Sequence, residues 1–203
     1  ATEAEGLALD FTDMSARVKG GSAPFRGDPN NLLTYASPST KWILNRNGVY
    51  ESGTTLRTEY DASGVALGVR IEEARVNVFL NSRSPATQNI SVSATPYTLS
   101  FLGTGTMTLS GASTAGPLVG TGTNNRVALT FTPSAGTLTC TVSGTMDFVQ
   151  LEAGSFATSP IVTDGSSVTR AADDISIAAS LFPSTATAGT AYVVATRDTT
   201  ASG

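Results

Sequence analysis

Apolar and polar residues alternate with a period of two along much of the chain. Tyr97-Thr98-Leu99-Ser100-Phe101, Thr106-Met107-Thr108-Leu109, Val127-Ala128-Leu129-Thr130-Phe131, Leu138-Thr139-Cys140-Thr141-Val142 and Thr145 to Leu151 all follow it. Successive side chains of a strand point to opposite faces, so this period predicts half-buried β-strands. Gly103, Gly105, Gly111, Gly116, Gly120, Gly122, Gly136 and Gly144 punctuate these segments. Strands about 8–12 residues apart with glycine turns predict an antiparallel sandwich or barrel.

Helix signals are weak. In Val69 to Leu80, Val69 and Ile71 share one parity and Val76, Val78 and Leu80 the other. That switch predicts two short strands with a turn or bulge at Glu72 to Arg75, and a helix of about three turns is the alternative. Asn47-Gly48 predicts a hairpin within Lys41 to Tyr50, and Asp61-Ala62-Ser63-Gly64 a second turn. Gly20 to Asn31 reads as a loop. Two further strands are expected near Ile175 to Leu181 and Ala191 to Thr196, without a partner sheet in the chain. The division is therefore 1–75 as a loop-and-hairpin attachment segment, 76–165 as the sandwich, and 166–203 as a linker with strands of an incomplete C-terminal β domain.

Composition narrows the function. The 203 residues are 40% apolar and 14% charged, with net charge −4 and pI near 4.7. Scattered cations in an acidic chain argue against nucleic acid, which is gripped by clustered Lys and Arg. No apolar run approaches the roughly 20 residues of a membrane-spanning helix. Ala1 to Phe11 lacks the basic start and apolar core of a signal peptide, and no initiator Met opens the chain. That pattern fits a processed chain or part of a longer one. A single cysteine, Cys140, excludes an intramolecular disulfide and sits where a strand would bury it.

With no histidine, the commonest general base and metal ligand is missing. Serines have no base to activate them. Glu72 and Glu73, like Asp173 and Asp174, are adjacent and would point apart on a strand, which does not suit a glycosidase pair. No catalytic residue and no cofactor is expected, and the chain is read as a binding or structural protein rather than an enzyme. Gly103-Thr104-Gly105 and Gly120-Thr121-Gly122 read as turns, since no Lys-Ser/Thr follows.

Three stretches carry a family likeness. They are Ser37 to Trp42 with Gly53 to Asp61; Ala66 to Asn77; and Val149 to Ser159 with Val168 to Asp173. The combination resembles modules of tail-fibre, spike and other surface proteins of bacteriophages and related gene transfer agents, especially those of alphaproteobacteria. The resemblance covers most of Ser37 to Asp173. It implies a jelly-roll sandwich like that of carbohydrate-binding modules, often beside a concanavalin-like lectin domain. Pro160 stands where such modules commonly have an aromatic, and Val162 where they have a proline.

The resemblance implies a place on the virion surface (tail, baseplate or capsid spike), extracellular after release. Host-cell polysaccharide and other virion proteins are the implied partners. A homo-oligomer, a trimer before a pentamer, is expected, with no nucleic acid and no membrane insertion. A purely structural adaptor, stalk or decoration protein is the alternative, and a glycan-degrading enzyme a third. Candidate sugar-stacking aromatics are Trp42, Tyr35 and Tyr97, with Tyr50 and Tyr60 behind them. Glu72, Arg75, Gln150 and Glu152 are expected to form a structural polar network rather than a ligand site. Asp10 and Asp147 are candidates for a structural calcium, which similar jelly rolls often carry, although no local acidic cluster supplies the about six to eight oxygens calcium takes.

Overall fold

The computed structural model describes residues 6–10, 15–19, 25–28 and 31–178. Within them the chain is all-β, with antiparallel strands and no α-helix. The strands are β1 (Gly6–Asp10), β2 (Ser15–Lys19), β3 (Phe25–Gly27), β4 (Leu33–Ala36), β5 (Lys41–Leu44), β6 (Tyr50–Gly53), β7 (Thr58–Tyr60), β8 (Ala66–Val69) and β9 (Arg75–Asn77). There follow β10 (Gln88–Val92), β11 (Tyr97–Gly103), β12 (Thr106–Gly111), β13 (Leu118–Val119), β14 (Gly122–Phe131), β15 (Gly136–Ser143), β16 (Met146–Ala153), β17 (Val168–Arg170) and β18 (Asp174–Ile177).

Two sheets face each other, ordered β10-β15-β12-β13 and β14-β11-β16. The chain crosses between them at every connection except β12 to β13. Alternation fills the space between. Ile90, Leu109, Leu138 and Cys140 from one sheet meet Leu99, Phe101, Val149 and Leu151 from the other in one apolar cluster. Phe79, fully buried, closes one side of it. Each such side chain, taken out of water, stabilises the fold by roughly 1.5–3 kcal/mol.

Strand β11 departs from the simple half-buried pattern. Tyr97, Leu99 and Phe101 face the core, yet Thr98, Ser100 and Leu102 on the other side are buried as well. A second layer covers that outer face, and the rest of the chain supplies it.

The regular alternation expected through Thr145 to Leu151 breaks within β16. Ser100 pairs with Gln150 but Leu102 pairs with Asp147, so β16 carries one extra residue there. Phe148 takes the strain, with φ at +50°, a left-handed value that non-glycine residues rarely adopt. The bulge switches parity. Met146 and Val149 both reach the core, and Phe148 turns outward onto the covered face.

The hairpins form where the turn signals place them. In β5–β6, Asn45 Oδ1 accepts the backbone N–H groups of Asn47 and Val49. In β7–β8, Asp61 Oδ1 accepts those of Ser63 and Val65 in the same way. Gly48 and Gly64 supply the positive φ that each loop needs. Asn45–Val49 and Asp61–Val65 are thus two copies of one turn, an internal likeness the sequence reading does not register.

Between Val69 and Leu80 no helix forms, but the two-strand expectation holds only in part: β8 ends at Val69, β9 covers Arg75–Asn77, and Ile71, Val78 and Leu80 lie outside strands. The expectation of partnerless C-terminal strands is corrected. β17 pairs with β9, and β18 pairs with β4 in the register Asp174 with Ala36 through Ile177 with Leu33. Strands on both sides of the sandwich sequence thus pair with each other. The strand expected at Ala191 to Thr196 lies outside the described residues, as does the end of the one near Ile175 to Leu181.

Cys140 is fully buried, and burial alone pushes its thiol up to about 12 from an ordinary 9.0. A native thiol titration at pH 8 should therefore register almost no cysteine, while the same titration in denaturant should register the single one present. Rapid native reaction would contradict this core packing.

Candidate functional site

The outer face of sheet β14-β11-β16 is polar, and every buried polar group on it needs a partner. Glu152, fully buried on β16, accepts Nε2 of Gln150 at 2.6 Å, the N–H of Thr158 at 2.8 Å and its hydroxyl at 2.7 Å. Gln150 Oε1 in turn accepts the N–H of Ile161 at 2.7 Å. Arg126 on β14 donates to Ser100 Oγ at 2.8 Å and to the carbonyl of Thr158. Burial lowers the proton affinity of this guanidinium, and the nearby Tyr50 and Glu152 act against that loss.

Asn77, at the end of β9, uses all four of its side-chain hydrogen-bonding positions. It donates to Val149 O at 3.0 Å and Ile161 O at 2.8 Å, and accepts from the N–H groups of Phe79 and Leu151, both at 3.0 Å. These contacts fix the segment from Thr158 to Thr163 against the sandwich.

A buried charge cluster joins this layer to the N-terminal strands. Glu72 accepts the N–H and hydroxyl of Ser159, both at 2.6 Å, and lies 3.2 Å from Arg170 and 3.6 Å from Lys41. Lys41 also pairs with Asp173 and donates to Arg70 O at 2.6 Å. Asp173 accepts the Tyr35 hydroxyl at 3.0 Å and the Glu72 N–H at 2.8 Å. Two cations and two anions make the cluster neutral. Burial pushes the Asp173 carboxyl up, but Lys41 and the Glu72 N–H outweigh it and hold the group below the usual carboxylate range.

Above this layer the β5–β6 hairpin lies with Trp42 and Tyr50 toward the sandwich and Ile43 and Glu51 away from it. Trp42 meets Phe148 edge-on at 5.0 Å between ring centroids, and Tyr50 meets it at 5.3 Å. The Arg83 guanidinium lies 4.2 Å from the Phe148 centroid and 5.4 Å from that of Trp42. Arg83 also grips Asp147 through two bonds of 2.6 and 3.0 Å. Around these groups opens a cleft of about 290 Å³, whose wall also includes Thr104, Thr123, Asn124 and Thr145. Burial raises the Tyr50 phenol above its ordinary 10.0, so it is a neutral hydroxyl at physiological pH. On the opposite face of the hairpin a wider cleft of about 700 Å³ is bounded by Tyr35, Glu51, Arg57 and Tyr60.

The candidate aromatics thus take three different positions. Trp42 lines the smaller cleft. Tyr35 borders the larger one, with its hydroxyl committed to Asp173. Tyr97 is 8% exposed and belongs to the sandwich core, its hydroxyl near Ser93, so it presents no ring face for stacking. Glu72, Gln150 and Glu152 are buried among protein partners. Arg75 pairs with Glu73 at 2.5 Å and lies over Phe156 with the guanidinium 4.8 Å from the ring, packed against Gly154 where no Cβ would fit.

Asp10 is exposed at the end of β1, and Asp147 is taken by Arg83. Among the described residues no three of His, Cys, Asp and Glu gather as a metal site would require. Sequence reading does not reach Phe148 or Arg83, because an apolar residue in a strand and an isolated arginine carry no signal until the bulge and the hairpin bring them together. The chain matches no known family model, no curated protein and no solved structure.

Two outcomes test the charge cluster. Glu72→Ala, which takes the ion-pair partner from Arg170 and leaves the buried cluster with an unbalanced positive charge, should cost about 3–5 kcal/mol in urea denaturation. Because the folded pKa of Asp173 is depressed, its contribution is present above the unfolded carboxylate value and lost as pH falls through the folded one. Asp173→Asn should therefore be less stable than the parent at pH 7 and lose less further stability between pH 5 and 2. An unchanged acid limb would show that Asp173 does not carry this dependence.

Proposed function

We propose that the chain is a surface component of a phage or gene-transfer particle, a fibre or spike part, that binds host-cell polysaccharide without cleaving it. The observation that carries this reading is the small cleft lined by Trp42 and Tyr50 over the outer face of the sandwich. Flat aromatic faces suit the C–H side of a pyranose, and the hydroxyl and amide groups around them suit its oxygens. The likeness of Ser37 to Asp173 to tail-fibre and spike modules supports the setting, and the facing sheets suit a sandwich of the carbohydrate-binding-module type.

In this reading the partners are the polysaccharide, other particle proteins and further copies of the chain, a trimer before a pentamer. A purely structural role is the second reading. It is favoured by Val65 and Leu67, each 59% exposed on the β7–β8 hairpin, where apolar side chains in water suit an assembly contact.

One cleft of this size offers few contacts, so a single copy should bind weakly and an array tightly. On a glycan array, protein clustered on a multivalent support should exceed the monomer by about 10²-fold or more in apparent affinity. Reducing ends should not accumulate. Absence of binding by both forms would leave the structural reading in place, and release of reducing ends would make the protein an enzyme.

A further inference from the structure

We propose that the cleft between the β5–β6 hairpin and the sandwich selects a neutral pyranose with adjacent free hydroxyls, and rejects acidic sugars. This deepens the polysaccharide reading and rests on it.

The argument begins with charge. Among the described residues of the cleft wall the charged ones are Arg83 and Asp147, and they neutralise each other through the two-pronged pair. The guanidinium is further committed by lying on Phe148 and beside Trp42. Arg126, whose strand neighbour Leu102 lines the cleft, gives two of its N–H groups to Ser100 and Thr158. An incoming carboxylate or sulfate would meet a cation whose charge Asp147 already neutralises, and so would gain no net charge attraction from the described residues of the wall.

The same pair favours hydroxyls. Asp147 Oδ1 accepts from Arg83 Nε and from the backbone N–H of Phe148 at 2.7 Å, while Oδ2 accepts Arg83 Nη2. A carboxylate offers about four acceptor positions and a guanidinium five donors, so one acceptor and several donors stay open side by side. A hydroxyl both donates and accepts, and two adjacent hydroxyls match such a row. Trp42 and the neutral Tyr50 phenol complete a wall with an apolar face and polar edge. The volume, about 290 Å³, is just under the roughly 300 Å³ at which ligand sites start. It suits one ring of a longer chain.

The test uses the full chain clustered on a multivalent support, with neutral probes (malto-, manno- and galacto-oligosaccharides) and acidic ones (oligogalacturonate and oligoalginate). The parent should bind at least one neutral series and neither acidic one. Asp147→Asn keeps the carbonyl oxygen for the Phe148 N–H but frees the Arg83 charge. It should weaken neutral binding about tenfold, as loss of a charged acceptor does, and allow acidic probes to bind.

Because the pair is on the surface, thermal unfolding of this variant should stay close to the parent, which separates loss of binding from loss of fold. Trp42→Phe, which retains a packed ring, should also weaken neutral binding. Binding of acidic probes alone by the parent would overturn the selectivity and leave the polysaccharide reading standing. Neutral binding unchanged in both variants would overturn the placement in this cleft. No binding to any probe by clustered parent, or by host cells with their capsule, would overturn the polysaccharide reading and this inference with it.

Discussion

A fully buried carboxylate has to be closed by donors, and Glu152 sets the terms for the rest of this molecule. It sits near the end of β16, whose other face is apolar core, and it is closed off from bulk solvent. Its donors come from Gln150 beside it and from Thr158 in the segment that folds back over the sheet. That segment must therefore lie flat on β16, and once there it delivers Ser159 to Glu72. Glu72 then gathers Arg170 and Lys41, and Lys41 brings Asp173 and with it β18. The order of contacts runs from one buried charge outward to strands far away in sequence.

This chain of dependence explains why the flanking strands are not separate appendages. The β9–β17 and β4–β18 pairs are two strands wide, and a ribbon of that width is marginal in water on its own. Here both pairs border the charge cluster, whose neutrality removes the cost of an unmatched buried ion. Buried pairs of this kind contribute modest net stability but penalise any alternative arrangement severely. We read the cluster as a device for specificity of docking, holding hairpin and sandwich in one relation.

The aromatic cleft is a consequence of the same docking. The β5–β6 hairpin begins at Lys41, so anchoring that lysine places Trp42 and Tyr50 over the sandwich. The bulge at Phe148 meets them from below with a ring on the outer face, while Met146 beyond it still reaches the core. A non-glycine residue held at positive φ thus builds the floor of the cleft. The cleft is lined from three separate stretches of chain, near 42–50, 83 and 102–148, which only this packing assembles.

Local rules were enough for much of the fold. Period-two alternation identified β11, β12, β14, β15 and β16 of the sandwich, because burying one face of a sheet leaves that mark on a strand, but not β10 or the two-residue β13. Asn47-Gly48 identified one hairpin and Asp61 to Gly64 the turn of the other, because positive φ at a turn restricts the residue type. The parity switch at Glu72 to Arg75 separated β8 from β9. Of the expected polar network, Glu72, Gln150 and Glu152 are buried with protein hydrogen-bond partners, while Arg75 pairs with the exposed Glu73. What sequence could not carry was pairing across distance. Nothing local tells Ile175 that its partner is Tyr35, or places Tyr97 in the core while Trp42 borders a cleft, since both are aromatic residues in alternating strands. The extra residue at Phe148 leaves the composition of its strand ordinary, and only the register against β11 reveals it. Those choices are made by which surfaces are left to cover once the sandwich has formed, a property of the folded chain rather than of any stretch of it.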